Sequence, residues 1–263
     1  SLATTLIICC GLLVASVALY NKISGIGLVE GTRVTISRDI GSVLGDPNDL
    51  ALILLFPISF CAAVTNSVGH KSGYRVLAFI CFIVISSAII ATQSRGGLLG
   101  ILAITGTFAY QRIKSKVLLF SIGGVAMVAL LFMAGISDRA SGGAGESGVD
   151  ESAMGRIYAW EAAFNMALQY PLSGIGLDNF VANYFYYSAH WDGMVHAVHS
   201  TWFGVLAETG FLGLVIFIYL IKSVVSSVLQ SIRILSSIPN PCSEDQILLC
   251  MAWSVFSGCL GFI

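Results

Sequence analysis

The chain has 263 residues, of which 56% are apolar and only 10% charged, against a soluble norm of about 45–50% and roughly 25%. Together with a mean hydropathy of +0.87, this excludes an ordinary soluble domain and marks a membrane protein. The formal charge of −1 provides neither the basic stripe nor the net field that a nucleic-acid partner needs.

A bilayer core of about 30 Å takes roughly 20 apolar residues per helix. The sequence opens at Ser1 inside one apolar run and stops at Ile263 inside another. We therefore expect residues 1–263 to be a single membrane domain, truncated at both its N- and C-terminal ends. Residues 2–20 have no basic leader and no small-residue cleavage site, so they read as a spanning helix and not a signal peptide. Residues 50–66 form the second expected span. Asp46-Pro47-Asn48-Asp49 stands in front of it, with Asn48 or Asp49 as its expected cap and Pro57 as an expected kink. Residues 76–92, 96–110 and 117–136 follow, the first of them ending close to Arg95 and the second short and glycine-rich. Residues 201–221 and 246–263 complete seven expected spans. The fold class is all-α: a polytopic transmembrane helical bundle. Of the seven cysteines, Cys9, Cys10, Cys61, Cys81, Cys250 and Cys259 sit in apolar runs, where a free thiol acts as a small hydrophobe, and no disulfide framework is expected.

Loop charge sets the orientation, because Lys and Arg are retained in the cytoplasm. The loops near 67–75, 111–116 and 222–245 carry Lys71, Arg75, Arg112, Lys114, Lys116, Lys222 and Arg233, with only Glu244 and Asp245 as acids. These are the expected inside loops. The large loop, residues 137–200, is then periplasmic. Its first part, 137–150, is rich in Gly, Ser and Asp and reads as linker. Residues 154–170 place Ile157, Trp160, Ala163, Phe164 and Ala167 at helical spacing, with Pro171 just beyond, which predicts an amphipathic helix against the membrane face.

Three groups in this frame can carry chemistry. Arg95, beside Gly96 and Gly97 at the outer surface, either snorkels to the headgroups or holds a diphosphate bidentately. Arg156 opens the amphipathic helix, where unpaired N–H groups already attract anions, unless it pairs with Glu151 or Glu161. His190, His196 and His199 cluster within ten residues. A histidine there can serve as general base, as a metal ligand together with Asp192 or Asp178, or as an unengaged loop residue. The His-x5-His-x2-His spacing fits no helical zinc motif, so no metal is expected. Ser173-Gly174-Ile175-Gly176 follows no strand and reads as turn chemistry. There is no P-loop and no Asp-x-Asp pair, so a transferase would need an already activated donor and no cofactor.

His199-Ser200, followed after nine residues by Gly210-Phe211-Leu212-Gly213, resembles the signature of the O-antigen ligase/polymerase superfamily. The segments at Ser94-Arg95-Gly96, from Gly155-Arg156 to Trp160, and from Pro171 to Phe180 look like the family's successive landmarks, and the likeness covers roughly residues 80–230. Asp46-Pro47-Asn48-Asp49, with the paired His196 and His199, is most similar to exosortase-associated O-glycosylation ligases.

The resemblance implies a metal-independent, inverting glycosyltransferase of the bacterial inner membrane. Such an enzyme transfers a saccharide from a polyprenyl-diphosphate carrier to an acceptor hydroxyl at the periplasmic face. His199, Arg95 and Arg156 would be catalytic, the arginines holding the diphosphate, and His196, Ser200 and Trp160 would join them in binding substrate. Gly210, Gly213, Gly174 and Gly176 would be structural, and Glu208 ranks below His196 as a partner for His199. The chain carries no acceptor domain, so glycan, lipid and protein hydroxyls all fit, and its seven expected spans fall short of the ten to twelve of complete family members. The rivals are a lipid-linked glycan flippase or transporter, which would need charges along a central path, and a histidine-metal membrane hydrolase.

Overall fold

Several of the helices begin where a side chain accepts from their free N–H groups. The computed structural model describes residues 1–40, 42–133, 151–191, 193 and 197–262. The expected linker 137–150, Asp192 and His196 lie outside the described residues. Helix α1 (Leu2–Ser24) is capped by the Ser1 hydroxyl and ends at Gly25 in the left-handed conformation. Helix α2 (Pro47–Asn66) starts three residues earlier than expected, and its cap is Asp46, not Asn48 or Asp49. The Asp46 carboxylate accepts from the N–H groups of Asn48 and Asp49 at 2.7 and 3.3 Å. Pro47 fills the first turn, where its missing N–H costs nothing. The helix then runs through Pro57.

The remaining elements are α3 (Ser72–Ala91), α4 (Arg95–Arg112), α5 (Lys116–Met133), α6 (Glu151–Gln169), α7 (Phe180–Tyr187), α8 (Thr201–Ser236) and α9 (Ser243–Phe262). The described residues hold only an isolated bridge between Val29 and Arg33 outside the helices and turns, so the fold is all-helical. Among them α1, α2, α3 and α8 are long and apolar enough to cross a membrane, and Lys116–Leu130 is a shorter apolar stretch. Three of the seven expected spans, those at α4, α5 and α9, are not among these four. Glycine and threonine dilute α4, and α9 opens with Ser243, Glu244, Asp245 and Gln246.

Helix α8 extends well past the expected end at residue 221, because no glycine or proline interrupts the chain between Gly213 and Pro239. Lys222 and Arg233, expected on a loop, therefore lie on this helix. Beyond a break at Gly210 it runs uninterrupted to Ser236, a length of about 39 Å, more than the roughly 30 Å of a bilayer core.

The chain folds as two compact units, Ser1–Ser137 with Val225–Ile263, and Asp138–Val224. In the first, α2 is the central helix: 67% of its apolar window is buried, against 28% in α1 and in α3. Small residues let its neighbours approach. A Cβ on Gly11 of α1 would stand 2.3 Å from Pro57, and one on Gly100 of α4 would stand 2.4 Å from Leu55. The segment between α1 and α2 is stitched onto the turn between α3 and α4. Buried Arg33 donates from Nε to the Thr92 carbonyl at 3.0 Å and from its guanidinium to Asn48 Oδ1 at 3.0 Å. The Val34 N–H reaches the Ala91 carbonyl, and the Thr32 hydroxyl reaches Gln93.

In the second unit α6 packs on α7 through a stripe of small residues, with Ala159, Ala162, Ala163, Met166 and Ala167 fully buried. Of the apolar residues read from the sequence, Ala163 and Ala167 are buried within the unit, while Ile157 and Phe164 are about half exposed, at 48% and 44%. Alanine permits the close helix contact that the bulkier residues would prevent, so the larger apolar side chains are turned outward.

Candidate functional site

His199 lies immediately before α8 and is exposed, with φ at +40°. A non-glycine residue in the left-handed region is held there by its surroundings, and two contacts supply the hold. The indole N–H of Trp160 donates to the carbonyl of Val198 at 3.0 Å. The Trp160 ring stacks on Phe203, one turn into α8, with centroids 5.1 Å apart and planes within 5°. Ser200 begins the helix through its carbonyl, which accepts the Gly204 N–H at 2.8 Å. The side chain of His199 is thus presented from a fixed backbone.

Arg156 is half exposed on α6 and stands one helical turn before Trp160, on the same face. This arrangement brings Arg156, Trp160 and the backbone of His199 into one neighbourhood. The pairing between Arg156 and Glu161 that the sequence allowed is replaced by another: Glu161 Oε2 stands 3.4 Å from His190 Nε2. The His190 ring also stacks on Tyr158 at 4.2 Å. His190 is therefore held by α6, separately from His199. Glu208 lies about two turns into α8, counted from its first residue Thr201.

The four glycines named from the sequence meet at one joint. Gly210 has φ +71° and ψ −172° and breaks the helical path of α8. The groups freed by this break are taken up by the turn after α6. The carbonyls of Ala207 and Glu208 accept the N–H groups of Ile175 and Gly176 at 3.0 and 3.1 Å, and the Phe211 N–H donates to the Pro171 carbonyl at 2.8 Å. Side chains would block this approach. A Cβ on Gly174 would stand 2.3 Å from the carbonyl carbon of Glu208, and one on Gly210 would stand 2.6 Å from the Pro171 oxygen. Gly176 and Gly174 both have positive φ, and a Cβ on Gly213 would meet the Thr209 side chain.

Arg95 belongs to the first unit. It is the first residue of α4, exposed, and follows Ser94, whose hydroxyl accepts the Gly97 N–H at 3.3 Å. Its backbone is fixed by the Arg33 clamp on Thr92 described above. Sequence reading did not find Arg33. The available signal was an arginine in a loop flanked by Thr32, Val34 and Thr35, a run that buries well only if the charge is hydrogen-bonded.

Among the described residues no three of His, Cys, Asp and Glu stand together in a way that would hold a metal ion. Asp192 and His196, which the sequence offered as co-ligands or partners of His199, lie outside those residues. A family model described as O-antigen ligase matches residues 79–218, just over half of the chain. That stretch contains Arg95, Arg156, His199 and both glycines of the Gly210–Gly213 pair. No curated protein and no solved structure matches the chain.

Proposed function

The chain belongs to the O-antigen ligase family, and from that premise we propose that it transfers a saccharide from a polyprenyl-diphosphate carrier to an acceptor hydroxyl at the periplasmic face of the inner membrane. The observation that carries this reading is the Trp160 clamp, which fixes the backbone of His199 at the head of α8 beside the helix that bears Arg156.

His199 takes the proton from the acceptor hydroxyl as its oxygen attacks the anomeric carbon. The bond from that carbon to the diphosphate oxygen breaks on the opposite face, so the configuration inverts, and the lipid diphosphate departs with the electron pair. The charge that develops on it is what a guanidinium stabilises most, because the interaction strengthens as the bond breaks. Arg156 and Arg95 supply that stabilisation, so the reaction needs no metal ion. Trp160, expected to bind substrate, has its N–H engaged by Val198, and we assign it the positioning of His199 instead.

The test uses the protein in liposomes with a polyprenyl-diphosphate glycan and a panel of glycan, lipid and peptide acceptors, measuring released lipid diphosphate. Release should depend on acceptor and fall about 10²–10⁴-fold in His199→Ala, the range that a positioned general base contributes. Release that is unchanged in the variant would remove His199 from the mechanism. Release that never depends on acceptor would return the transporter and hydrolase readings.

A further inference from the structure

Helices α2, α3 and α4 enclose a cavity of about 250 Å³ at the end of the first unit remote from Arg95. Its floor is aromatic, formed by Phe79, Phe82 and Phe108 with Ala62 and Ala109. The polar residues on its wall are turned onto their own helices. Thr65 donates to the Cys61 carbonyl at 2.8 Å, Asn66 to Ala62 at 2.8 Å and Thr105 to Ile101 at 2.7 Å. One group on the wall is left over. Arg112, at the last turn of α4, makes no hydrogen bond or ion pair among the described residues, and no carboxylate lines the cavity.

A cation at a helix C-terminus is favourable in itself, but that does not account for an apolar, three-ring cavity opening beside it. A cavity below the roughly 300–1,000 Å³ of pockets that enclose whole small molecules suits a chain segment whose head remains outside. The surroundings select the sign of that head. Lys114 and Lys116 follow Arg112, and Lys71 and Arg75 stand at the neighbouring turn between α2 and α3. Arg75 is anchored there by its Nε on the Thr65 carbonyl at 3.1 Å.

We propose that this cavity is a binding site for an anionic phospholipid, with one acyl chain among Phe79, Phe82 and Phe108 and the phosphate on the Arg112 guanidinium. Basic pockets between membrane helices recognise acidic headgroups in this way, and the guanidinium fork fits phosphate oxygens bidentately. Arg112 is 17 residues from Arg95, about 26 Å along α4, so the site is separate from the proposed chemistry and does not rest on it.

Native mass spectrometry of the detergent-purified protein tests the proposal, with phosphatidylglycerol and phosphatidylcholine of identical chains, and with glycerol phosphate as the soluble head. Phosphatidylglycerol should bind roughly tenfold more tightly than phosphatidylcholine, whose choline cation offsets the charge of the same phosphate and is repelled by Arg112. Glycerol phosphate alone should show no retention. Arg112→Gln, an exposed change that the fold tolerates, should abolish the preference, and Arg112→Lys should restore part of it. Changing Lys114 and Lys116 together to Gln should alter the preference less than about twofold, since both lie outside the cavity. Equal binding of the two lipids, or a preference that survives Arg112→Gln, overturns the proposal. So does a preference lost equally with the two lysines, which would make it a general field effect, or tight binding of glycerol phosphate, which would make the chain irrelevant.

Discussion

A general base must be placed to within a fraction of an ångström, and an exposed histidine on a loop has no such placement unless its backbone is locked. For His199, the proposed base, the lock is Trp160, which uses both of its chemistries: the indole N–H holds the Val198 carbonyl and the ring covers Phe203. Trp160→Phe removes the hydrogen bond and keeps the stack. It should cost about 1 kcal/mol of stability, read as a small shift in thermal unfolding. Acceptor-dependent turnover should fall about tenfold or more, with little change in the donor KM. A loss of stability without a selective fall in kcat would make Trp160 merely a packing residue. His190 supplies the contrast. It is already paired with Glu161 and stacked on Tyr158, and it sits apart from the strained backbone, so His190→Ala should retain activity within a few-fold where His199→Ala loses it. Residue type and motif spacing put His199 and Arg156 forward from the sequence as candidates, and their roles belong to the proposal. The clamp was not legible, because it joins positions 38 apart and depends on which way one indole ring turns.

At the scale of elements, the decisive feature is the break in α8 at Gly210. A helix interrupted inside apolar surroundings exposes carbonyls and N–H groups that must find partners, and the turn at 171–176 provides them. The backbone there, with φ +71° and ψ −172°, belongs to a region open essentially to glycine alone. Gly210→Ala should therefore destabilise by about 1–3 kcal/mol and also push against Pro171, which stands 2.6 Å from the new Cβ. Gly204, six positions earlier in regular helix, has only Val198 at 3.5 Å, and Gly204→Ala should be neutral or slightly stabilising because alanine favours the helix. Thermal unfolding in detergent compares the two, and equal effects would mean that the break carries no special strain. The sequence indicated most of the elements, since long apolar runs admit few alternatives to helix. It misplaced one boundary for a physical reason: the end of α8 was placed before Lys222, although a single charge near a helix end does not stop the helix.

At the scale of the whole molecule, the reading depends on which side of the membrane each end of the helices faces. On the proposed reading, the basic residues near the ends of α2 and α4 and on the far part of α8 mark the cytoplasmic side, and residues 151–200 with the head of α8 lie on the periplasmic side. The part of α8 beyond Gly210 is long enough for this reading, since its length of about 39 Å exceeds a core of about 30 Å. Two positions report the two sides. Cys242, exposed in the loop between α8 and α9, belongs to the cytoplasmic side. Ala182, exposed on α7, belongs to the periplasmic side and tolerates cysteine without loss of packing. With the other cysteines replaced, a membrane-impermeant maleimide added to intact spheroplasts should label Ala182→Cys and spare Cys242 until the cells are lysed. The reverse pattern would place His199 and Arg156 in the cytoplasm, away from any glycan already carried across the membrane, and the proposed periplasmic transfer would fail even if His199→Ala proved inactive. Labelling and turnover therefore test separate premises: the first concerns where the base resides, the second what it does.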